Sequence, residues 1–136
     1  MAVVEELIRI EDNGTLSFGN YQLAEKSKKS DFEFKGDLYK VKTYKDITKL
    51  ERNGRFVYES VPGTAVNNFK VENSGVSFDV EALSDTQITV EFEEGTEYVT
   101  YIDGVNAGSV NTNLGGKISL SVPASNGTTK IKIVKE

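Results

Sequence analysis

The chain has 136 residues and contains no cysteine, no histidine and no tryptophan. Lack of cysteine excludes disulfides, thiolate metal sites and cysteine nucleophiles, and lack of histidine removes the commonest general base and transition-metal ligand. The net charge of −5 argues against general nucleic-acid binding, which needs a basic face to neutralise phosphates.

The charge is unevenly spread. Residues 1–70 carry 12 Lys+Arg against 11 Asp+Glu, and residues 71–136 carry 4 against 10. We therefore expect two segments with different surfaces: an N-terminal β subdomain over 1–69 and a sandwich portion over 70–136. The opening "MAVVEELIRI" places Glu5 and Glu6 where a secretory leader needs positive charge, and no apolar run approaches the ~18 residues of a membrane span. The expectation is a cytoplasmic protein, or a secreted one if a leader has been removed, with no membrane partner.

In chain order, "LIRIEDNGTLSFGNYQL" predicts a hairpin about Asn13-Gly14. "AEKSKKS" reads as a polar loop. "DFEFKGDLYKVKTY" predicts two strands meeting near Gly36-Asp37. In "DITKLERNGRFVYESV", Thr48 and Glu51 fit the spacing of a helix capping box. The Asn53-Gly54 dipeptide and the β-rich "RFVYESV" favour a hairpin instead. Pro62-Gly63 suggests a type II turn, and "VNNFKVENSG" reads as a connector, placing the segment boundary near residues 68–75.

Beyond it, apolar residues alternate with period two: Val76/Phe78/Val80, Ile88/Val90/Phe92, Ile118/Leu120/Val122 and Ile131/Ile133. Ser77, Asp79, Thr89, Glu91, Ser119, Ser121 and Lys132 face the other way, the pattern of antiparallel strands with one wet side. Asp103-Gly104 and Asn126-Gly127 mark turns. Gly115-Gly116 turns the chain into Lys117–Val122, and Pro123 ends that strand because it cannot donate to a ladder. Strands every 10–14 residues or so match the spacing of a sandwich.

Residues with chemistry are few. "EDNG" at Glu11–Gly14 has the start of a calcium loop, but its twelfth position is Gln22 rather than a bidentate Glu, so a hairpin turn is expected and no metal. Glu91, Glu93, Glu94 and Glu97 crowd one strand end. A glycosidase pair needs two carboxyls at set separation with divergent pKa values, and a solvated acidic rim is the simpler reading. Serine and threonine lack the histidine of a triad, and no glycine loop leads into a helix to cradle phosphate. No cofactor is implied.

Lys26, Lys28, Lys29, Lys35, Lys40, Lys42, Lys45, Lys49, Arg52 and Arg55 concentrate between residues 26 and 55, with aromatic residues among them. In "YKVKTYK", Lys40 and Lys42 share one strand face while Tyr39, Val41 and Thr43 share the other. The interleaved acids allow a mixed, solvated face as the plain reading, and attraction of an acidic polymer as the functional one.

"TLSFGNYQLAEKSKKSDFEFKGDLYKVKTYKDITKLERNGRFVYESVPGTAV" (Thr15–Val66) resembles a group of short bacterial proteins of unknown function that bear the label endosialidase. That resemblance would imply an arginine cluster and a tyrosine nucleophile paired with glutamate. The chain has only Arg9, Arg52 and Arg55, and lacks the length and the tryptophan-containing repeats of a sialidase propeller. Separately, "YVTYIDGVNAGSVNTNLGGKISLSVPAS" resembles the closing strands of immunoglobulin-like modules appended to carbohydrate-active enzymes.

The expected fold is all-β, an immunoglobulin-like antiparallel sandwich with an N-terminal hairpin or small-sheet subdomain. The expected function is a non-catalytic structural or protein-binding module, engaging a protein partner or its own copies. The alternative is a carbohydrate-binding accessory module for an acidic glycan. Lys40, Lys42, Tyr44, Arg52, Arg55 and Tyr58 are its candidate binding residues. An enzyme working through carboxylates alone is a third class, recognisable by a cleft with two buried acids.

Overall fold

The computed structural model describes residues 3–123 and 127–136. These form strands and turns and no helix, so no helix is long and apolar enough to cross a membrane. One sheet runs in spatial order β1 (Ile8–Ile10), β2 (Leu16–Phe18), β7 (Ala65–Glu72), β8 (Gly75–Glu81), β13 (Thr129–Lys135), β10 (Glu97–Ile102) and β11 (Val105–Asn111). The second runs β12 (Lys117–Val122), β9 (Thr86–Glu91), β6 (Arg55–Val61), β5 (Ile47–Arg52), β4 (Asp37–Tyr44) and β3 (Ser27–Phe34). Every neighbouring pair is antiparallel.

The all-β expectation holds, and the turns explain much of it. Asn53-Gly54 and Asp103-Gly104 both take positive φ at the two central positions, the type I′ geometry whose twist matches a hairpin. Lys35-Gly36 does the same between β3 and β4, one residue before the position read from the sequence. Pro62-Gly63 is not the expected type II turn: the Val61–Pro62 bond is cis and Gly63 is absent from the positive-φ residues. The Asn126-Gly127 turn falls partly outside the described residues.

Two expected loops are strands. "AEKSKKS" contains the first half of β3, a strand at the sheet edge whose side chains are mostly exposed on both faces. Such a strand lacks the alternation that marks a half-buried one. "VNNFKVENSG" lies largely in β7, which pairs with β2 and with β8.

That pairing overturns the division at residue 70. β7 and β8, on either side of it, are hairpin partners, and both sheets draw strands from both segments. The residue 70–136 strands alone supply only β9 and β12 to the second sheet, and β6 joins β9 to the rest. A single core results. Val41, Leu50, Tyr58, Ile88 and Ile118 from one sheet meet Ile8, Phe18, Val66, Phe78, Ile131 and Ile133 from the other, all essentially inaccessible. At its centre the Tyr58 ring stands edge-on to Phe18 at 5.3 Å and to Phe78 at 5.7 Å. Each such pair adds about 0.5–1.5 kcal/mol beyond the area it buries.

Candidate functional site

Inward positions on β4 are Tyr39, Val41 and Thr43, all buried. The pleat therefore sends Lys40, Lys42 and Tyr44 to the outer face of the second sheet. Register then decides their neighbours. Lys42 lies opposite Lys28 on β3 and opposite Lys49 on β5, while Lys40 lies opposite Glu51 and Tyr44 opposite Ile47. The row continues from Lys49 to Glu59, Thr89 and Ser119. Positive charge thus stops at β5.

Like charges placed directly opposite across a sheet are destabilising, and here three lysines stand abreast. Burial of Lys42, followed by the repulsion of Lys26, Lys49, Lys28 and Lys40, holds its ammonium below the usual lysine range. Counter-charge is scarce. Lys49 reaches Glu51 at 3.6 Å, while Lys28, Lys40 and Lys42 enter no ion pair among the described residues. Lys28, Lys40, Lys42, Lys49 and Glu51 line a shallow groove of about 60 Å³. The arrangement can hold an extended anion by several ammonium groups at once, beside the half-buried ring of Tyr44.

Arg52 and Arg55 are elsewhere. They face each other across the β5–β6 turn, both exposed. With Phe56, Val57, Glu91 and Phe92 they border a second groove of about 300 Å³ at the sandwich end. Lys117 sits over the Phe56 ring at 4.6 Å.

Tyr58, expected to join them, does not reach the surface: it is fully buried and its hydroxyl is 2.8 Å from the Thr64 hydroxyl. The cause is a bulge. Arg52↔Arg55 and Glu51↔Phe56 keep the register set by the turn, but beyond it Leu50 pairs with Tyr58, leaving Val57 as the extra residue. An unbroken hairpin would point Tyr58 outwards with Lys49; the one-residue shift turns it into the core with Leu50. Burial pushes the Tyr58 phenol pKa far up.

The buried hydroxyls around it are fully partnered. Thr48 Oγ1 donates to the Thr64 carbonyl at 2.9 Å and accepts the Thr64 N–H at 3.1 Å. The Thr43 hydroxyl must then donate to Thr48 across 2.8 Å, while itself accepting the Asn20 N–H at 2.9 Å. Ser60 and Tyr58 complete the cluster on Thr64. No buried side-chain polar atom among the described residues lacks a partner, so the network reads as architecture.

Lys28 and Lys49 were not among the candidate residues of the sequence reading. The two-residue turn at Lys45-Asp46 would have placed Lys49 opposite Lys42. Lys28 was hidden, because a bulge between Lys29 and Phe32 shifts β3 by one and replaces Lys29 with Lys28 as the partner of Lys42. No family model matches the chain, and no curated protein or solved structure gives a significant match.

Proposed function

We propose that this protein is a non-catalytic binding module that takes an acidic polymer, an acidic glycan above all, on the lysine face of β3, β4 and β5. The observation that carries the reading is the Lys28–Lys42–Lys49 row. It is a self-repelling arrangement whose acidic neighbours, Glu51 and Glu59, both adjoin Lys49, kept in a chain whose net charge is −5. A ligand anion would relieve that repulsion. Tyr44, beside the row, offers an apolar ring for the face of a sugar. The likeness of Tyr98–Ser125 to accessory modules of carbohydrate-active enzymes supports the same class.

The reading assigns no catalytic residue. The two grooves described are open and bordered by lysines or arginines, and the carboxylates beside them, Glu51 and Glu91, are half-buried on the outer face. A module that works through protein contacts remains the second reading, and the strand edge treated below favours it independently. A glycan array carrying carboxylated, sulfated and neutral sugars, read at low and physiological salt, separates the two. Binding to acidic sugars that weakens with salt and vanishes in the Lys40→Gln/Lys42→Gln/Lys49→Gln variant supports the glycan reading. An array blank at both salt concentrations would overturn it.

A further inference from the structure

Each sheet ends in two edge strands, and an open edge invites pairing with another chain unless something blunts it. Three of the four edges are blunted. β1 is only three residues long, with Arg9 in ion pairs to Glu6 and Glu11. β3 carries Lys28, Lys29, Asp31 and Glu33, and is broken by its bulge, where Asp31 takes φ 57°. β11 is uncharged but also bulged: Ala107 has no partner on β10, and Gly108 sits at φ 115°.

β12 has no such device. Its six residues stay in unbroken register with β9 from Lys117↔Glu91 to Val122↔Thr86, and its only charge is Lys117 at one end. The ladder phase is fixed by the Phe92 N–H, which donates to the Gly116 carbonyl at 2.6 Å. Bonded pairs alternate in an antiparallel ladder, so residues 118, 120 and 122 bond to β9 and residues 117, 119 and 121 turn their backbone groups outwards. Asn113 satisfies those of Lys117, accepting its N–H at 3.1 Å and donating to its carbonyl at 3.4 Å. Ser119 and Ser121 are left with N–H and C=O aimed at the open side and no backbone bond to another element among the described residues.

We propose that a second copy of this chain pairs antiparallel along β12, with Leu120 on the two-fold axis. The edge is complementary to itself in that register. Ser119 would face Ser121 of the other copy with their four free backbone groups exchanged, Ile118 would face Val122, and Leu120 would face Leu120. Polar residues meet polar ones, apolar residues meet apolar ones, and no charge meets its like, which an isologous contact requires. Leu120 is half-buried at the mouth of a lateral groove of about 240 Å³, shared with Thr100, Ile102, Val110 and Ile118. Its counterpart would close that opening. The contact is one strand and one apolar seam, so the dimer is reversible and concentration-dependent.

Sedimentation velocity across a concentration series tests this on the full chain. The wild type should move from 15.0 kDa towards twice that mass as concentration rises. Ser119→Lys/Ser121→Lys sets lysine against lysine twice and should weaken the dimer roughly tenfold or more. Ser119→Glu/Ser121→Lys sets glutamate against lysine in this register alone and should dimerise at least as well as the wild type. Both sites are exposed, so circular dichroism should report an unchanged fold. A wild type that stays monomeric, a double-lysine variant that dimerises undiminished, or a glutamate–lysine variant as weak as the double-lysine one would each overturn the proposal.

Discussion

Lys42 shows how one side chain can cost stability and serve binding together. Its ammonium is penalised by burial and by the lysines on both sides. The unfolded chain therefore holds that proton more tightly than the folded one. The penalty is present at neutral pH and is relieved as pH rises through the lowered folded value towards 10.5. Lys42→Gln should stabilise the fold by about 0.2–1 kcal/mol in urea unfolding at neutral pH, while weakening any anion held there. A destabilised variant would mean that Lys42 has a partner the geometry does not reveal. Tyr21 titrates in the opposite sense. Its burial, with its hydrogen bond to Glu81 at 2.8 Å and the charge of that carboxylate, raises the phenol to about 12. The stability this contributes is complete below pH 10, the ordinary tyrosine value, and is lost as pH climbs from 10 to 12. A spectrophotometric titration should show one tyrosine ionising near 12; Tyr21→Phe should remove that late step.

At the level of strands and turns, register matters more than composition. Period-two alternation made β8, β9, β12 and β13 legible, because each buries alternate side chains against the opposite sheet. The first half of β3, residues 27–30, was not legible, since a stretch wet on both faces carries no alternation. Bulges were also invisible, as nothing in "KLERNGRFVYES" marks Val57 as the extra residue. Half of the candidate site survives that limit: Lys40, Lys42 and Tyr44 stay together by parity within one strand, whereas Tyr58 was lost to the shift. Tyr58→Phe tests the reassignment. It should cost about 1 kcal/mol in denaturant unfolding by removing one buried hydrogen bond, and leave ligand binding unchanged. A binding loss without a stability loss would return Tyr58 to the surface.

Across the whole molecule, the charge asymmetry is a difference between surfaces and not between domains. The lysine face occupies one half of the second sheet's outer side, and the strands beneath it share their core with β8 and β13. Residues 70–136 alone would expose Phe78, Val80, Ile88 and Val90 where Tyr58, Phe18 and Val66 now cover them. That fragment should therefore not fold; a dispersed amide spectrum from it would contradict the shared core.

The claim that the lysine row is a binding surface is tested most directly by calorimetric titration. Hyaluronan, a carboxylated polysaccharide, would be compared with neutral dextran, using the wild type and Lys40→Gln/Lys42→Gln/Lys49→Gln. The account predicts binding to hyaluronan alone, weakening with salt and lost in the triple variant, which should be at least as stable as the wild type. Equal binding by the triple variant, or equal heats with dextran, would contradict it.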